Sequence, residues 1–240
     1  MSRYRALVRS PHIPLNVLGT PLLTHSLQSY LDSDFSSASG LRSNPRQDRS
    51  KQSLNVILRA TADLIDESGY ASVTTAEVAK RTGLAIGTVY RFFPDRIALM
   101  FGVYDHVLKG FLDIAVARLA ESSPQSWQDS FATILTASAE ARRTIPGYQS
   151  VHHRILGETG DSERYRERIT GIGTAIAGEL STFGLPSSEE WVQHVTVAYE
   201  LSLSLQRLAF DMSPSGDERL LGEAVSLPLR YLSEHLDEQG

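Results

Sequence analysis

Residues 72–101, SVTTAEVAKRTGLAIGTVYRFFPDRIALMF, constrain the fold of this chain more than any other stretch. Thr74 with Glu77 three residues on forms a capping box, in which side chains satisfy two otherwise orphaned amides at a helix start. Ala76, Val78 and Ala79 are small or apolar, so that helix can pack closely on its neighbours. Gly83 stands where the chain must turn, in the left-handed conformation that a C-cap asks of glycine. Leu84 is expected inside the turn. A second helix is expected over 86–93, with Val89 and Phe93 as a buried seam at i, i+4. Gly87, Thr88, Arg91 and Phe92 should fall away from that seam, with Tyr90 at its edge. Pro94 stops the helix, and Asp95 caps a longer one. Upstream, Leu54, Ile57, Leu58, Thr61, Leu64 and Ile65 recur at helical spacing over 51–68, closed by Gly69. Two short helices crossing steeply beside a third is the layout that slots a helix into the DNA major groove.

Net charge is −5 over 240 residues, the wrong sign for a nucleic-acid binder until it is partitioned. Residues 1–51 hold seven basic and three acidic side chains, 52–96 five of each, and 97–240 eleven basic against twenty acidic. The basic end therefore adjoins the helix pair, and only local charge acts on phosphates within a Debye length. The absence of cysteine removes disulfides and thiolate metal sites and suits a reducing cytoplasm. No uncharged apolar run is long enough to cross a bilayer; the best candidate, 192–210, contains His194, Glu200 and Arg207.

Residues 60–99 resemble the N-terminal domain of the tetracycline-repressor (TetR) family of transcriptional regulators. The resemblance rests on Ala62, Leu64, Gly69, Tyr70, Thr74, Thr75, Val78 and Ala79, then on Gly83, Gly87, Thr88, Val89, Tyr90, Phe93, Pro94 and Leu99. It implies an all-α chain: a helix-turn-helix DNA-binding domain over 51–96, then a helical effector-binding and dimerisation domain over 97–240. Thr75, Lys80, Tyr90 and Arg96 would contact phosphates. Gly87 and Thr88 would lie against base edges, with Ile86 and Arg91 beside them. Tyr90 also suits a half-buried core position, and Lys80 and Arg81 suit plain solvated charges; the residues leave both readings open. Two positions depart from the family pattern: Ala85 stands where serine is usual, and Ile86 where a polar or basic residue is usual. Alanine caps a helix poorly, and isoleucine offers a thymine methyl contact rather than a hydrogen bond.

Residues 1–50 lie outside the resemblance. Pro11, Pro14 and Pro21 and the Ser/Gly/Pro-containing run 33–50 predict a disordered extension. Arg42, Arg46, Arg49 and Lys51 either reach phosphate or the minor groove, or form an ordinary solvated run. The first thirty residues hold three arginines and no acid, faintly like a transit peptide, but scattered prolines argue against export.

Beyond Asp95 the pattern is helix after helix: 95–121 with a stripe of Ile97, Met100, Phe101, Tyr104, Leu108, Phe111, Leu112 and Leu119; then 126–144, 152–156, 162–183, a helix from Ser187 or Ser188 to 212, and a last one to 236 kinked at Pro228. The segment 191–210 is apolar on almost every face and should be buried on several sides. By the resemblance, the last two helices pair with their twins in a homodimer through Leu201, Leu205, Leu208, Leu220, Leu221, Val225, Leu232 and Leu236, and the partner is double-stranded DNA carrying a palindromic operator. A small apolar or aromatic effector would sit among Tyr104, Phe111, Trp127, Phe131, Tyr148, His152, Tyr165 and Trp191, residues that equally suit plain core.

An enzyme is not expected. Gly171-Ile172-Gly173 begins like a dinucleotide loop but lacks the third glycine and a preceding strand, so close helix packing is the better account. Adjacent His152 and His153 with Glu158 make a poor metal set, and neither metal nor cofactor is expected.

Overall fold

The computed structural model describes residues 27–31, 48–151 and 162–237. These are helical throughout, without strands among the described residues. A short α1 (Leu27–Leu31) precedes α2 (Asp48–Ser68), a 3-10 turn (Tyr70–Ser72), α3 (Thr75–Thr82) and α4 (Ile86–Phe92). Then come α5 (Arg96–Ser122), α6 (Trp127–Thr144), a helical turn at 148–151, α7 (Ser162–Ser181), α8 (Glu189–Met212) and α9 (Glu218–Asp237). Arg42, Arg46 and the expected helix at 152–156, with His152, His153 and Glu158, lie outside the described residues.

The caps are those the sequence spells. The Thr74–Glu77 capping box is complete, and Gly83 closes α3 at φ 69°. Asp95, Ser126 and Ser188 each accept an amide of the first turn they cap. Ala85 occupies the cap of α4 and supplies no side-chain bond.

Three expectations need correcting. Phe92 does not fall away from the seam of α4: it is buried, and so are Val89 and Phe93. The helix ends at Phe92, and Phe93 turns extended (φ −124°, ψ 110°). Val89 and Phe92 therefore form the helical seam at i, i+3, while the Phe93 ring swings onto α5. Ile97 is not part of the α5 stripe but 44% exposed, because it sits in the opening turn before the packed layer begins at Ala98. Disorder across 1–50 gives way at α1, which packs on α5 and α7 with Leu27 wholly buried, and at α2, which starts three residues earlier than expected.

Helix α5 is the spine. From Ala98 to Leu108 it is buried on nearly every face rather than along one stripe. At Gly102 an added Cβ would lie 2.5 Å from the Phe93 ring and 3.2 Å from Leu58, so the DNA-binding unit is seated directly on it. α8 and α9 pair along their length, joined by a turn at Gly216 with φ 86°. α8 is buried on several sides, as expected, and carries one uncovered stripe, where Val197, Leu208 and Met212 are exposed. None of the described helices is long and apolar enough to cross a membrane.

Candidate nucleic-acid interface

Helix α4 is held by its buried side alone. Val89 and Phe92 anchor it, which leaves Ile86, Gly87, Tyr90 and Arg91 exposed and Thr88 half-buried on the other side. A Cβ added at Gly87 would meet nothing within 4 Å. No neighbour in the fold requires glycine there, although glycine costs a helix interior about 1 kcal/mol relative to alanine. Two large hydrophobic side chains, Ile86 and Tyr90, stay more than 40% exposed on the same short rod.

Thr75, at the start of α3, is brought to Tyr90: the Thr75 hydroxyl donates to the Tyr90 hydroxyl at 3.2 Å. Thr75 is itself nearly enclosed, so Tyr90 carries the exposed end of the pair. Lys80 is exposed, with no ion pair among the described residues. Arg81 is committed instead to Glu67 of α2 through two bonds of 2.9 and 2.5 Å, and that bond holds the Glu67 carboxyl below its ordinary range. The Arg91 guanidinium rests over the Phe92 ring at 5.0 Å.

Arg96 is placed differently from the expectation. Its Nε donates to the Val73 carbonyl at 3.0 Å and one Nη to the Tyr70 carbonyl at 2.5 Å, while its guanidinium stacks 5.0 Å over the buried Tyr70 ring. It clamps the first turn of α5 to the 3-10 turn ahead of α3. Its guanidinium is therefore engaged within the fold.

The residues expected to line an effector chamber divide. Tyr104 and Tyr165 lie 6.3 Å apart, and Phe111 stacks on Tyr199 at 6.0 Å. Tyr148 packs under Arg142, its ring centroid 5.6 Å from the guanidinium. Burial pushes the Tyr104, Tyr148 and Tyr199 phenols upward. Glu200 borders the same cluster; burial lifts its carboxyl to about 7 against the pull of Arg142, and its Oε1 has no hydrogen-bond partner among the described residues. Trp191 belongs elsewhere, against His194, whose Nδ1 bonds Tyr231 of α9. Phe131 is plain α6 core and Trp127 is half-buried at the start of that helix. An open cleft between the end of α5 and α6 is lined by polar residues such as Arg118, Glu121 and Glu140, and none of the expected lining residues faces it.

Four further residues sit in or beside these buried clusters and were not among the expected lining: Arg142, Tyr199, Glu200 and Gln206. Gln206 accepts from Ser138 at 2.8 Å and Arg142 at 3.3 Å, and donates to Leu135 and Ser202. Their signal was present: a carboxylate and an amide embedded in the apolar run of α8, on a helix too apolar to spare them without partners.

Residues 57–103 match the family model described as bacterial regulatory proteins, tetR family. The nucleoid occlusion factor SlmA of Marinomonas sp. is 30% identical over 142 residues, covering 58% of this chain and 66% of that protein. The HTH-type transcriptional repressor KstR of Rhodococcus jostii is 40% identical over 60 residues, a quarter of each chain. The chain thus spans less than two thirds of the length of these curated relatives. A TetR-family transcriptional regulator from Streptomyces coelicolor superposes with a TM-score of 0.64 at 29% identity, over 75% of this chain and 98% of its own. With the capped helix pair, its glycine elbow and the helical domain behind it all in place, the chain belongs to the tetR family of bacterial regulatory proteins.

Proposed function

We propose that this protein is a cytoplasmic, homodimeric transcriptional repressor that binds a palindromic operator through α4 and is released by a small apolar or aromatic effector. The observation that carries DNA binding is the outer face of α4. Ile86, Gly87, Tyr90 and Arg91 are exposed and Thr88 half-buried on the side of the helix away from its anchored seam, beside Lys80, which has no ion pair among the described residues. Phosphate contacts from Tyr90 and Lys80 would position the rod, and Gly87 would let base edges come close to its backbone. Repression is supported by the KstR relatives, which are named transcriptional repressors. Dimerisation is supported by α8, where Val197, Leu201, Leu205, Leu208 and Met212 recur every three or four residues and remain wholly or partly uncovered. An effector among Tyr104, Tyr148, Tyr165, Tyr199 and Glu200 would find aromatic walls and an unpartnered carboxylate oxygen.

Gly87→Ala tests the DNA reading. The new methyl meets only open space, so stability should hold or rise by up to about 1 kcal/mol from helix propensity. Operator affinity in a gel-shift titration should fall tenfold or so, about 1.4 kcal/mol, because the methyl intrudes on the duplex. Unchanged affinity in a folded variant refutes this placement of α4.

One observation favours a second reading, DNA binding with no small-molecule control. The match to the nucleoid occlusion factor runs well beyond the DNA-binding domain, whereas the KstR match covers 60 residues. A thermal-shift panel of apolar compounds separates the two: an effector raises the melting temperature and weakens operator binding together.

A further inference from the structure

Helix α1 has five residues, far too few to persist unsupported in water, yet Leu27 is completely buried in the main core. What holds it is built into α5 and α7. Residue 171 is glycine, and a Cβ there would lie 2.6 Å from the Tyr30 hydroxyl oxygen and 2.9–3.0 Å from its ring. The notch on α7 is thus shaped to Tyr30. Gly173, two residues on, serves α8 in the same way by admitting Thr196. The glycine pair that imitates a nucleotide loop in the sequence accounts for two packing contacts.

Tyr30 also closes a buried polar chain. Its hydroxyl hydrogen-bonds Arg168, and burial pushes the phenol up to about 12. Arg168 pairs with Asp105 of α5 through an aligned Nη2–Oδ2 bond of 2.9 Å and an Nε–Oδ1 charge contact of 2.7 Å; the two side chains are 11% and 6% exposed. Asp105 lies one turn along α5 from Gly102, the point at which Phe93 and the end of α4 are seated. Contacts therefore run without a gap from Tyr30 through Arg168 and Asp105 to α5, and from Gly102 through Phe93 to α4.

We infer that α1 is an intramolecular latch: by docking across α5 and α7, the N-terminal extension fixes α5 and holds α4 in its DNA-reading position. The affinity readout of this inference rests on the DNA-binding function proposed above; the docking readout does not.

The test uses the full-length chain with Leu27→Asp, which puts a charge at the buried anchor, Gly171→Leu, which fills the notch from the other side, and the milder Tyr30→Ala. Amide hydrogen exchange is followed over 98–108 and 165–176, and affinity is measured for a duplex selected by the wild-type protein from random DNA. Each variant should speed exchange in both segments and weaken the duplex by about threefold or more, a coupling of ordinary size. Leu27→Asp with Gly171→Leu should be no weaker than the worse single variant, because both remove one docking event. Unchanged exchange overturns the docking. Faster exchange with unchanged affinity overturns control of α4. Effects that multiply show two separate defects and also overturn the latch. If the wild-type protein selects no sequence, the regulator function fails instead, and exchange alone decides whether α1 is docked.

Discussion

Glu200 gives the sharpest energetic test of the interior. Its carboxyl is buried among tyrosines and raised from 4.5 to about 7, with burial the dominant cause and Arg142 opposing it. A carboxyl whose folded pKa exceeds its unfolded one binds more protons in the native state. Its stabilising contribution is complete below about pH 4.5 and is lost as pH rises through about 7. At about 1.4 kcal/mol per pKa unit the full penalty is about 3 kcal/mol, of which less than about 1 has accrued by pH 5. Glu200→Gln keeps the shape and removes the titration. Relative to wild type it should therefore gain about 2 kcal/mol between about pH 5 and pH 8, or about 5–8 °C in melting temperature for a chain of this size. Thermal unfolding followed by circular dichroism at both pH values measures the difference. Asp105, lifted to about 6 by burial despite Arg168, titrates equally in both proteins and cancels. Parallel pH profiles for wild type and variant would show that Glu200 is solvated, and would remove it from the buried tyrosine cluster.

Two further substitutions test the DNA-binding unit. Gly102→Ala places a methyl 2.5 Å from the Phe93 ring, so it should cost about 1–2 kcal/mol in urea unfolding and lower operator affinity as α4 shifts; a neutral result would mean that α5 and Phe93 are not in tight contact. Ala85→Ser supplies the missing cap on α4 at an exposed, extended position, and should raise the urea midpoint by the equivalent of about 0.5 kcal/mol. The gain is at the low end because the Ala85 carbonyl already accepts the Thr88 amide at 2.7 Å. A lowered midpoint would refute the cap assignment.

What the sequence disclosed was local. Caps at Thr74, Asp95, Ser126 and Ser188 and the elbow at Gly83 depend on residues within a turn of one another, so their chemistry can be read along the chain. The exposed face of α4 followed from the same short-range logic, apart from Phe92, whose fate turned on a helix ending one residue early. Arg96 was illegible because its partners are the backbone carbonyls of Tyr70 and Val73, more than twenty residues away and carrying no side-chain signature. α1 was illegible for a related reason. Its local propensity is negligible, and it exists only because Leu27 and Tyr30 find burial against Gly171 and Arg168, more than a hundred residues downstream. Aromatic spacing marked Tyr104, Phe111, Tyr148 and Tyr165 together with Trp127, Phe131 and Trp191, which pack in different places, since periodicity reports that a face is buried and not which neighbours share it.

Helix α5 leaves little room for graded adjustment between the two domains. Gly102 is pressed to the Phe93 ring, and Gly110 would bring a Cβ to 2.7 Å from Ile145, so the helix is gripped by close contacts two turns apart. The second grip belongs to a loop that is itself tied to the DNA-binding unit. The Gly147 amide donates to Asp66 of α2 at 2.6 Å, and an added Cβ at Gly147 would lie 3.0 Å from Ala62. A close-packed interior responds to such a load by switching between discrete arrangements rather than by stretching. A ligand that displaced Tyr104 or Phe111 would therefore have to move α5 past Ile145 or carry the 145–147 loop with it. The second course breaks the Asp66–Gly147 bond and unseats α2, while the first drags Phe93 and the end of α4. Either course would disturb the seat of α4, so the effector control proposed above would work through competition between an occupied tyrosine cluster and an undisturbed α4 for one position of α5.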